Sequence, residues 1–252
     1  MVKTIMHGCC GTMGQVITNL AKDMADLEIV AGIDMNDKGN TTYPVFKSLE
    51  ECSVAADVVI DFSSARAVDA LLEGCKKRNL PVVLCTTGLS KEQLEAVEQA
   101  SRSVAILRSA NMSLGVNLLL KLVQDAARVL SEAGFDMEIV EKHHNQKVDA
   151  PSGTAIALAD SINSALGGEY DYVYDRSKER KKRSTKEIGI SAVRGGSIVG
   201  VHDVIFAGTD EVITFNHTAY SKAIFAKGAL AAAKFLAGRE PGLYDMSDVI
   251  GL

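Results

Sequence analysis

Long apolar runs are missing from this sequence of 252 residues. Although 47% of the residues are hydrophobic, no run approaches the roughly 20 residues that a membrane-spanning helix needs. A membrane role is therefore not expected. The first residues lead directly into a glycine-rich turn, without the extended apolar segment of a signal peptide. We therefore expect a cytoplasmic location.

Cysteine and histidine are scarce, with five of each. The cysteines are odd in number and include no Cys-x-x-Cys pair, so we expect reduced thiols. Cysteines at zinc-site spacing are missing, and His7, His202 and His217 are scattered, so we expect no metal site. No Ser or Cys occupies a recognisable nucleophile elbow, which disfavours a nucleophilic triad.

Excess positive charge is also missing, since 27 basic residues face 32 acidic ones and give a net charge of −5. This balance argues against a nucleic-acid partner. Only the segment 176–186 is strongly basic. Because charge runs are usually hydrated, we interpret it as a solvated loop rather than as a device that steers an anionic substrate.

Short β-branched runs alternate with segments of helical period up to about residue 110. This pattern predicts a parallel sheet with crossover helices, the Rossmann type. A capping-box spacing, Ser90-x-x-Gln93, marks the start of one helix. The predicted strands are 2–7, 28–34, 57–61, 81–85 and 104–108, and the predicted helices are 12–24, 65–78 and 91–102.

The pattern changes after Leu114. A helix over 115–132, a strand over 136–142 and a helix beginning at 152–154 precede three apolar runs, 188–193, 200–206 and 212–217. Consecutive strands without crossovers favour antiparallel or mixed pairing. The last helix, 222–237, is expected to return to the first domain. The fold class is therefore α/β, with a Rossmann-type domain over 1–113 and 223–252 and a mixed-sheet α+β domain over 114–222.

A glycine-rich turn follows the first strand, with the sequence Gly8-Cys9-Cys10-Gly11-Thr12-Met13-Gly14. Glycines between a strand and a helix let the backbone approach a pyrophosphate, whose charge the helix start favours. The spacing is Gly-x-x-Gly-x-x-Gly instead of the common G-x-G-x-x-G, so a tight turn that binds nothing is the alternative. Asp34 follows near the position expected for an acid that accepts hydrogen bonds from ribose hydroxyls, and together the two features favour nucleotide binding.

Two more loops, Cys85-Thr86-Thr87-Gly88 and Ser109-Ala110-Asn111-Met112, follow the fourth and fifth strands at the same sheet edge. Open α/β sheets bind ligands at this edge. Their small hydroxyl and amide side chains suit contact with a nicotinamide or a ribose. Ordinary loop chemistry is the alternative for either loop alone.

A loop with two adjacent histidines joins the predicted strand 136–142 to the next helix. His143 and His144 would point to opposite sides of an extended chain and so serve different tasks. Lys147 supplies a proton donor. The helix start at Gly153 and Thr154 presents N–H groups that suit a carboxylate. The alternative is a polar surface loop followed by a helix cap.

The stretch EKHHNQKVDAPSGTA, residues 141–155, resembles the signature of the dihydrodipicolinate reductase family, E-x-H-H-x-x-K-x-D-x-P-S-G-T-A. The resemblance spans essentially the whole chain, because it continues through GCCGTMG, VVIDFSS, CTTGLS, SANMSLGVN, VRGGSIVGVHDVIF and GLYDMSDVI. The reaction that it implies delivers hydride from NADH or NADPH to C4 of a cyclic imine dicarboxylate. The 4-hydroxyl leaves as water and tetrahydrodipicolinate forms, in the diaminopimelate route to lysine. The resemblance also implies a homotetramer built through the sheet of the second domain.

Residue roles follow from the resemblance position by position. His143 is implied as the catalytic acid/base and Lys147 as the proton donor. His144, Gly153 and Thr154 would hold the substrate. The residues implied for the dinucleotide are Gly8, Cys9, Cys10, Gly11, Thr12, Met13, Asp34, Cys85, Thr86, Thr87, Ser109, Ala110, Asn111 and Met112.

One departure concerns the cofactor. Members that use NADPH often carry a basic residue just after the acid of the second strand, whereas here Asp34 is followed by Met-Asn-Asp and only then by Lys38. We therefore expect NADH to serve at least as well as NADPH. Two other functions are weaker: the chain lacks the placed cysteine of a semialdehyde dehydrogenase, and a non-catalytic NAD sensor would not keep the loop of His143 and Lys147 intact.

Overall fold

The computed structural model describes residues 1–37, 39, 41–109 and 111–251. The chain divides into two compact units. The first unit comprises Met1–Ser113 and Ala223–Leu252, and the second comprises Leu114–Lys222. Among the described residues, no helix combines the length and the apolar character needed to cross a membrane.

The first unit begins with alternating strands and helices. These elements are β1 (Val2–His7), α1 (Thr12–Ala21), β2 (Leu27–Ile33), β3 (Val45–Phe46), β4 (Val58–Asp61), α2 (Ala65–Arg78), β5 (Val82–Leu84), α3 (Lys91–Ser101) and β6 (Ala105–Arg108). The alternation that the sequence predicts is confirmed. Asp34 lies just beyond β2 rather than within it, and α1 ends three residues earlier than predicted.

The second unit contains two long helices and five strands. They are α4 (Leu114–Glu132), β7 (Asp136–His143), α5 (Gly153–Ala165), β8 (Asp171–Val173), β9 (Glu187–Arg194), β10 (Gly200–Ala207) and β11 (Val212–Ala219). The chain then returns to the first unit through α6 (Ala223–Leu236), β12 (Gly242–Tyr244) and α7 (Met246–Ile250). The short strands β3, β8 and β12 were not predicted.

The first unit is built on a seven-stranded sheet in the order β12-β6-β5-β4-β1-β2-β3. All of its strand pairs are parallel, which confirms the Rossmann-type prediction. A buried apolar cluster covers each face. The predicted capping box at Ser90 and Gln93 is present, with both reciprocal hydrogen bonds formed. The carboxyl ends of the parallel strands therefore meet at one edge, where the sequence placed the nucleotide loops.

The second unit is built on a five-stranded sheet in the order β11-β10-β7-β9-β8. Strands β10 and β11 pair antiparallel, as do β7 and β10, whereas β9 pairs parallel to both β7 and β8. Mixed pairing is thus confirmed. Alternate residues of β7 are buried, in a core that also takes apolar side chains from α4 and α5. This alternation carries Glu141 and His143 onto the buried face.

The basic segment 176–186 is exposed except at Arg183, so the prediction of a solvated loop is confirmed apart from that residue. Arg176 forms ion pairs with Glu138 and Glu187. Arg183 is 18% exposed and lies 2.7 Å from Asp136 and 3.0 Å from Glu138. The carboxylates of β7 and β9 thus neutralise these arginines, an arrangement that charge patterning along the chain does not reveal.

Candidate active site

Steric constraint defines the glycine turn after β1. Gly8 has φ +82°, and a Cβ atom there would lie 2.5 Å from the carbonyl oxygen of Phe62. A Cβ at Gly14 would lie 2.2 Å from the carbonyl oxygen of Gly8. Gly11 precedes α1 without a side-chain cap. The turn therefore requires glycine at two positions and leaves the start of α1 suited to an anion.

Asp34 closes the glycine turn from the side of β2. Its carboxylate accepts hydrogen bonds from the backbone N–H groups of Cys10 and Asn36, each at 3.0 Å. The side chains of Cys9 and Cys10 are buried, so these residues would offer a dinucleotide mainly their backbone. The structure thus brings the predicted ribose ligand next to the predicted pyrophosphate turn.

Two loops at the same sheet edge carry the remaining nucleotide predictions. The Thr86 hydroxyl donates to Asp61 Oδ2 at 2.6 Å and is nearly buried, whereas Thr87 is exposed. Asn111 Oδ1 accepts from the N–H of Ser113 at 2.8 Å. The predicted residue Ala110 lies outside the described residues. The Thr86 hydroxyl is therefore already used within the protein, and of this pair only Thr87 is exposed.

Two other residues of these loops, Met112 and Cys85, are buried. Met112 is buried, and a Cβ at Gly228 of α6 would lie 1.6 Å from its carbonyl oxygen. Burial, aided by the charge of Asp61, raises the pKa of the Cys85 thiol well above its usual value. Cys85 is therefore a packing residue rather than a nucleophile.

Asp61 is a polar residue of this edge to which the sequence assigned no role. It ends β4, is fully buried, and accepts hydrogen bonds from the Ser63 and Thr86 hydroxyls at 2.6 Å each. His7 Nδ1 lies 2.9 Å from its Oδ1. Asp61 therefore links the end of β4 to the loop after β5 and lies beside the end of β1.

A cavity of about 560 Å³ opens beside the end of β2, with Met35 and Lys47 in its lining. Lys47 follows Phe46 of β3, whose carbonyl accepts the N–H of Asp34 at 2.9 Å. The pairing of β2 with β3 thus brings the backbone of Lys47, an exposed residue, close to Asp34. Sequence reasoning considered only the cation that follows Asp34 along the chain, and so missed Lys47.

His143 ends β7 in the second unit and is 9% exposed. Its Nδ1 lies 2.6 Å from Oε2 of Glu141, two residues earlier on the same face of the strand. Because a carboxylate only accepts, Nδ1 carries the proton and Nε2 is left for chemistry. A Cβ at Gly200 would lie 3.1 Å from Nε2. Glycine at this position therefore keeps the space beside Nε2 open.

Glu141 is fully buried and is held by three groups. Arg194 donates to both of its oxygens, at 2.6 and 2.7 Å, and the Ser152 N–H donates at 2.9 Å. Burial raises the pKa of Glu141, but the hydrogen bonds from Arg194, His143 and Ser152 outweigh burial and hold its pKa below the ordinary value. Glu141 is therefore ionised at neutral pH and orients the imidazole of His143.

His202 lies on the other side of His143, with ring centroids 5.2 Å apart in an edge arrangement. Its Nε2 lies 3.0 Å from the hydroxyl of Ser152, which also caps α5 by accepting the N–H of Ala155. Burial, followed by the charge of His143, lowers the pKa of His202 to about 4. His202 is therefore neutral at physiological pH and links the strand end to the helix start.

The loop after β7 carries the other predicted residues. Lys147 Nζ lies 2.8 Å from Asp149 Oδ1, and the Asp149 carbonyl accepts from Arg194 at 2.7 Å. Gly153 begins α5, is exposed, and has no atom within 4 Å of where a Cβ would be. Lys147 is thus linked through Asp149 and Arg194 to the histidine–glutamate pair, and the exposed Gly153 begins the next helix with free space at its Cβ position.

Both units match models of known protein families. The family model for the N-terminus of dihydrodipicolinate reductase matches residues 2–112, and the model for its C-terminus matches residues 115–250. The chain belongs to the dihydrodipicolinate reductase family. The resemblance drawn from the sequence is thus confirmed.

Relatives within the dihydrodipicolinate reductase family match over nearly their full length. The chain is 54% identical over 250 residues to the 4-hydroxy-tetrahydrodipicolinate reductase of Caldanaerobacter subterraneus subsp. tengcongensis, covering 99% of this chain and 98% of the relative. It is 49% identical to that of Clostridium tetani, covering 98% and 96%. A dipicolinate-bound dihydrodipicolinate reductase from Paenisporosarcina sp. TG-14 matches with a TM-score of 0.83 and 25% identity, covering 99% of both chains.

Three polar residues of the second unit had no role in the sequence-based interpretation: Glu141, Arg194 and His202. Glu141 could have been found, because alternation along a strand places it on the same face as His143. Arg194 and Glu141 are 53 residues apart along the chain, and the pairing of β7 with β9 brings them together. No local signal in the sequence reveals that contact.

Proposed function

We propose that this dihydrodipicolinate reductase family member reduces 4-hydroxy-tetrahydrodipicolinate to tetrahydrodipicolinate with a nicotinamide cofactor, in the diaminopimelate route to lysine. The observation that carries the proposal is the oriented His143, whose Nδ1 lies 2.6 Å from the buried carboxylate of Glu141. That pair lies within a family match covering both units.

The glycine turn of the first unit is the proposed site for the dinucleotide. A Cβ would collide at Gly8 and Gly14, so only glycine keeps the tight turn, and a pyrophosphate would bind to the backbone N–H groups at the start of α1. Asp34 would bind the ribose hydroxyls. When bound, the nicotinamide supplies the hydride that reaches C4, and the 4-hydroxyl leaves as water.

Proton transfer is assigned to the second unit. Lys147 is the proposed proton donor, and its contact with Asp149 at 2.8 Å holds its ammonium group within the loop. His143 is the proposed acid/base, acting through Nε2, because Glu141 occupies Nδ1. Glu141 and Arg194 serve as positioning residues, since they act on the imidazole and on the loop.

The proposed substrate contacts lie at the start of α5. A dicarboxylate would place one carboxylate against the N–H groups of the first turn and the Thr154 hydroxyl, where the helix dipole favours negative charge. The open space at Gly153 supports this assignment. His144, which follows the end of β7 and is half-buried, would contact the substrate from the other end of the loop.

For the cofactor, we infer that NADH serves at least as well as NADPH. A carboxylate at Asp34 accepts hydrogen bonds from ribose hydroxyls and repels a 2′-phosphate. Lys47 supports some use of NADPH, because it lines the same cavity as Met35, the residue after Asp34. We therefore expect both cofactors to be used, with NADH at least as effective as NADPH.

We further propose a cytoplasmic homotetramer assembled through the sheet of the second unit. Strand β11 forms one edge of this sheet, and among its apolar residues Val212 is 61% exposed and Ile213 is 38% exposed. An exposed apolar edge strand suits pairing with another chain. The five cysteines, all within the described residues, form no disulfide, which is compatible with a reducing compartment.

The test of the reaction is cofactor oxidation with freshly generated substrate, formed from pyruvate and aspartate semialdehyde. Rates with NADH and NADPH are measured side by side, with substrate omitted as the control. We expect substrate-dependent oxidation with NADH at least as fast as with NADPH. No oxidation with either cofactor would overturn the proposed reaction.

A further inference from the structure

Two cysteines and a carboxylate converge in the glycine turn. The sulfur atoms of Cys9 and Cys10 lie 3.8 Å apart, and a carboxylate oxygen of Asp34 lies within 4.8 Å of both. Zinc-site motifs are usually recognised from cysteines that lie two or more residues apart, so they do not include an adjacent pair. The grouping arises because the turn doubles back on the end of β2.

The distance between the two sulfur atoms has a specific chemical meaning. In a tetrahedral zinc site with Zn–S bonds of about 2.3 Å, two sulfur ligands lie roughly 3.8 Å apart. The pair Cys9 and Cys10 matches this separation without any movement. The oxygen of Asp34 has to approach by no more than about 1 Å to complete a third ligand position at the usual Zn–O distance.

The surroundings of Cys9 are shaped around its sulfur. A Cβ at Gly32 would lie 2.5 Å from Cys9 Sγ, so only glycine leaves room for the thiol at that point of β2. Cys9 also lines a cavity of about 100 Å³ together with Thr18 and Thr41. That cavity borders the proposed site on the Cys9 side, and a water molecule there would supply the fourth ligand.

We propose that Cys9, Cys10 and Asp34 form a binding site for a thiophilic divalent cation such as Zn²⁺ or Cd²⁺, and that cation and dinucleotide exclude each other. Three protein ligands with one open position form an exchangeable site rather than a closed structural one. Exclusion follows because Asp34 is also the proposed ribose ligand and receives the Cys10 N–H at 3.0 Å.

The thiols bind the cation only after losing their protons. Cation binding therefore releases protons to the solvent as the metal–sulfur bonds form, with no change of oxidation state.

The experiment titrates the full-length protein with Cd²⁺ and follows the ultraviolet charge-transfer absorption of cadmium–thiolate bonds, with a non-thiol reductant present. We expect one Cd²⁺ per chain. Cys9→Ser and Cys10→Gly should each lower the Cd²⁺ affinity at least tenfold, and circular dichroism checks their folding. Cys52→Ser is the matched control, because Cys52 is equally buried but belongs to the other apolar cluster of the first unit; it should bind as the parent does.

Three outcomes would overturn the site: no thiolate absorption in the parent, parent-like binding by folded Cys9→Ser and Cys10→Gly, or loss of binding in Cys52→Ser. Exclusion is tested by repeating the titration with saturating NADH, which should weaken Cd²⁺ binding at least tenfold. An unchanged affinity would overturn the exclusion. Nicotinamide fluorescence of the cadmium-free protein measures NADH binding separately, so a failure of the proposed nucleotide site is told apart from a failure of the cation site.

Discussion

The glycine turn of the first unit and the histidine cluster of the second are held together in different ways. At the turn, the constraint is steric, because the surroundings of Gly8 and Gly14 leave no space for a Cβ. At the cluster, the constraint is a set of side-chain bonds around the buried Glu141. A backbone site tolerates side-chain changes that keep the turn, whereas a site made of bonded side chains is sensitive to each partner.

The largest expected effect is a fall in kcat when His143, at the centre of the histidine cluster, is replaced. His143→Ala should lower kcat by about 10²- to 10⁴-fold, the usual contribution of general acid–base catalysis, while NADH affinity stays near the parent value. Glu141→Gln should lower kcat less, because it removes the charge that orients the imidazole but leaves the imidazole in place. Steady-state kinetics with circular dichroism as a folding control measures both. Parent-like kcat in a folded His143→Ala variant would remove His143 from the mechanism.

The second prediction concerns a substitution in the glycine turn that lowers both stability and NADH binding. Gly8→Ala places a Cβ 2.5 Å from the Phe62 carbonyl oxygen at φ +82°. It should lower the free energy of unfolding by at least about 2 kcal/mol, the left-handed penalty plus the collision, and weaken NADH binding at least tenfold. Gly134→Ala is the matched control, since Gly134 has φ +80° with no atom within 4 Å. Gly134→Ala should lower the free energy of unfolding only by the penalty for a left-handed φ, about 1–2 kcal/mol. Equal losses in the two variants would contradict the steric account.

The third prediction concerns how the stability of the protein depends on pH through His202 of the histidine cluster. The pKa of His202 is lowered to about 4 in the folded protein, from 6.5. Between these values the unfolded chain binds a proton that the folded chain does not, so stability falls as pH drops below 6.5. From pH 7 to pH 5 the loss should be at most about 2 kcal/mol. Urea unfolding at the two pH values measures it, and His202→Gln should flatten the dependence. An equally steep dependence in that variant would assign the effect to other groups.

The smallest expected effect concerns the cation beside Asp34. Lys47→Ala should lower kcat/KM for NADPH by roughly two- to fivefold, because an exposed ion pair contributes little, and should leave NADH kinetics unchanged. Lys77→Ala, in the same cavity lining, is the control and should affect neither cofactor. A parent value for NADPH that is tenfold or more above that for NADH would contradict the assigned preference.

The two regions also differ in how far the sequence predicted them. The strand Val2–His7 and the helix Ala65–Arg78 agree with their predicted bounds, because periodicity and flanking turn residues are local signals. The glycine turn was recognised for the same reason. The two-residue strand β3 is too short to show a period, so Lys47, which follows it, was missed.

Contacts between distant strands account for the rest. Arg194 reaches Glu141 only through the pairing of β7 with β9, and His202 reaches Ser152 at 3.0 Å through the pairing of β7 with β10. Arg183 was interpreted as solvated, although it is 18% exposed and lies beside carboxylates of β7 and β9. Register between strands is set by the whole sheet, so a single sequence read locally does not contain these partners.

The central claim is that proton transfer belongs to the loop of Lys147 and cofactor binding to the glycine turn. Its most direct test measures NADH affinity by fluorescence and kcat by NADH oxidation on Lys147→Ala, beside the parent and Lys178→Ala. Lys178 is the control because it is 81% exposed in the basic segment. We predict an unchanged NADH affinity in all three proteins and a kcat at least about 100-fold lower in Lys147→Ala alone. A folded Lys147→Ala variant with a kcat near that of the parent would contradict the account.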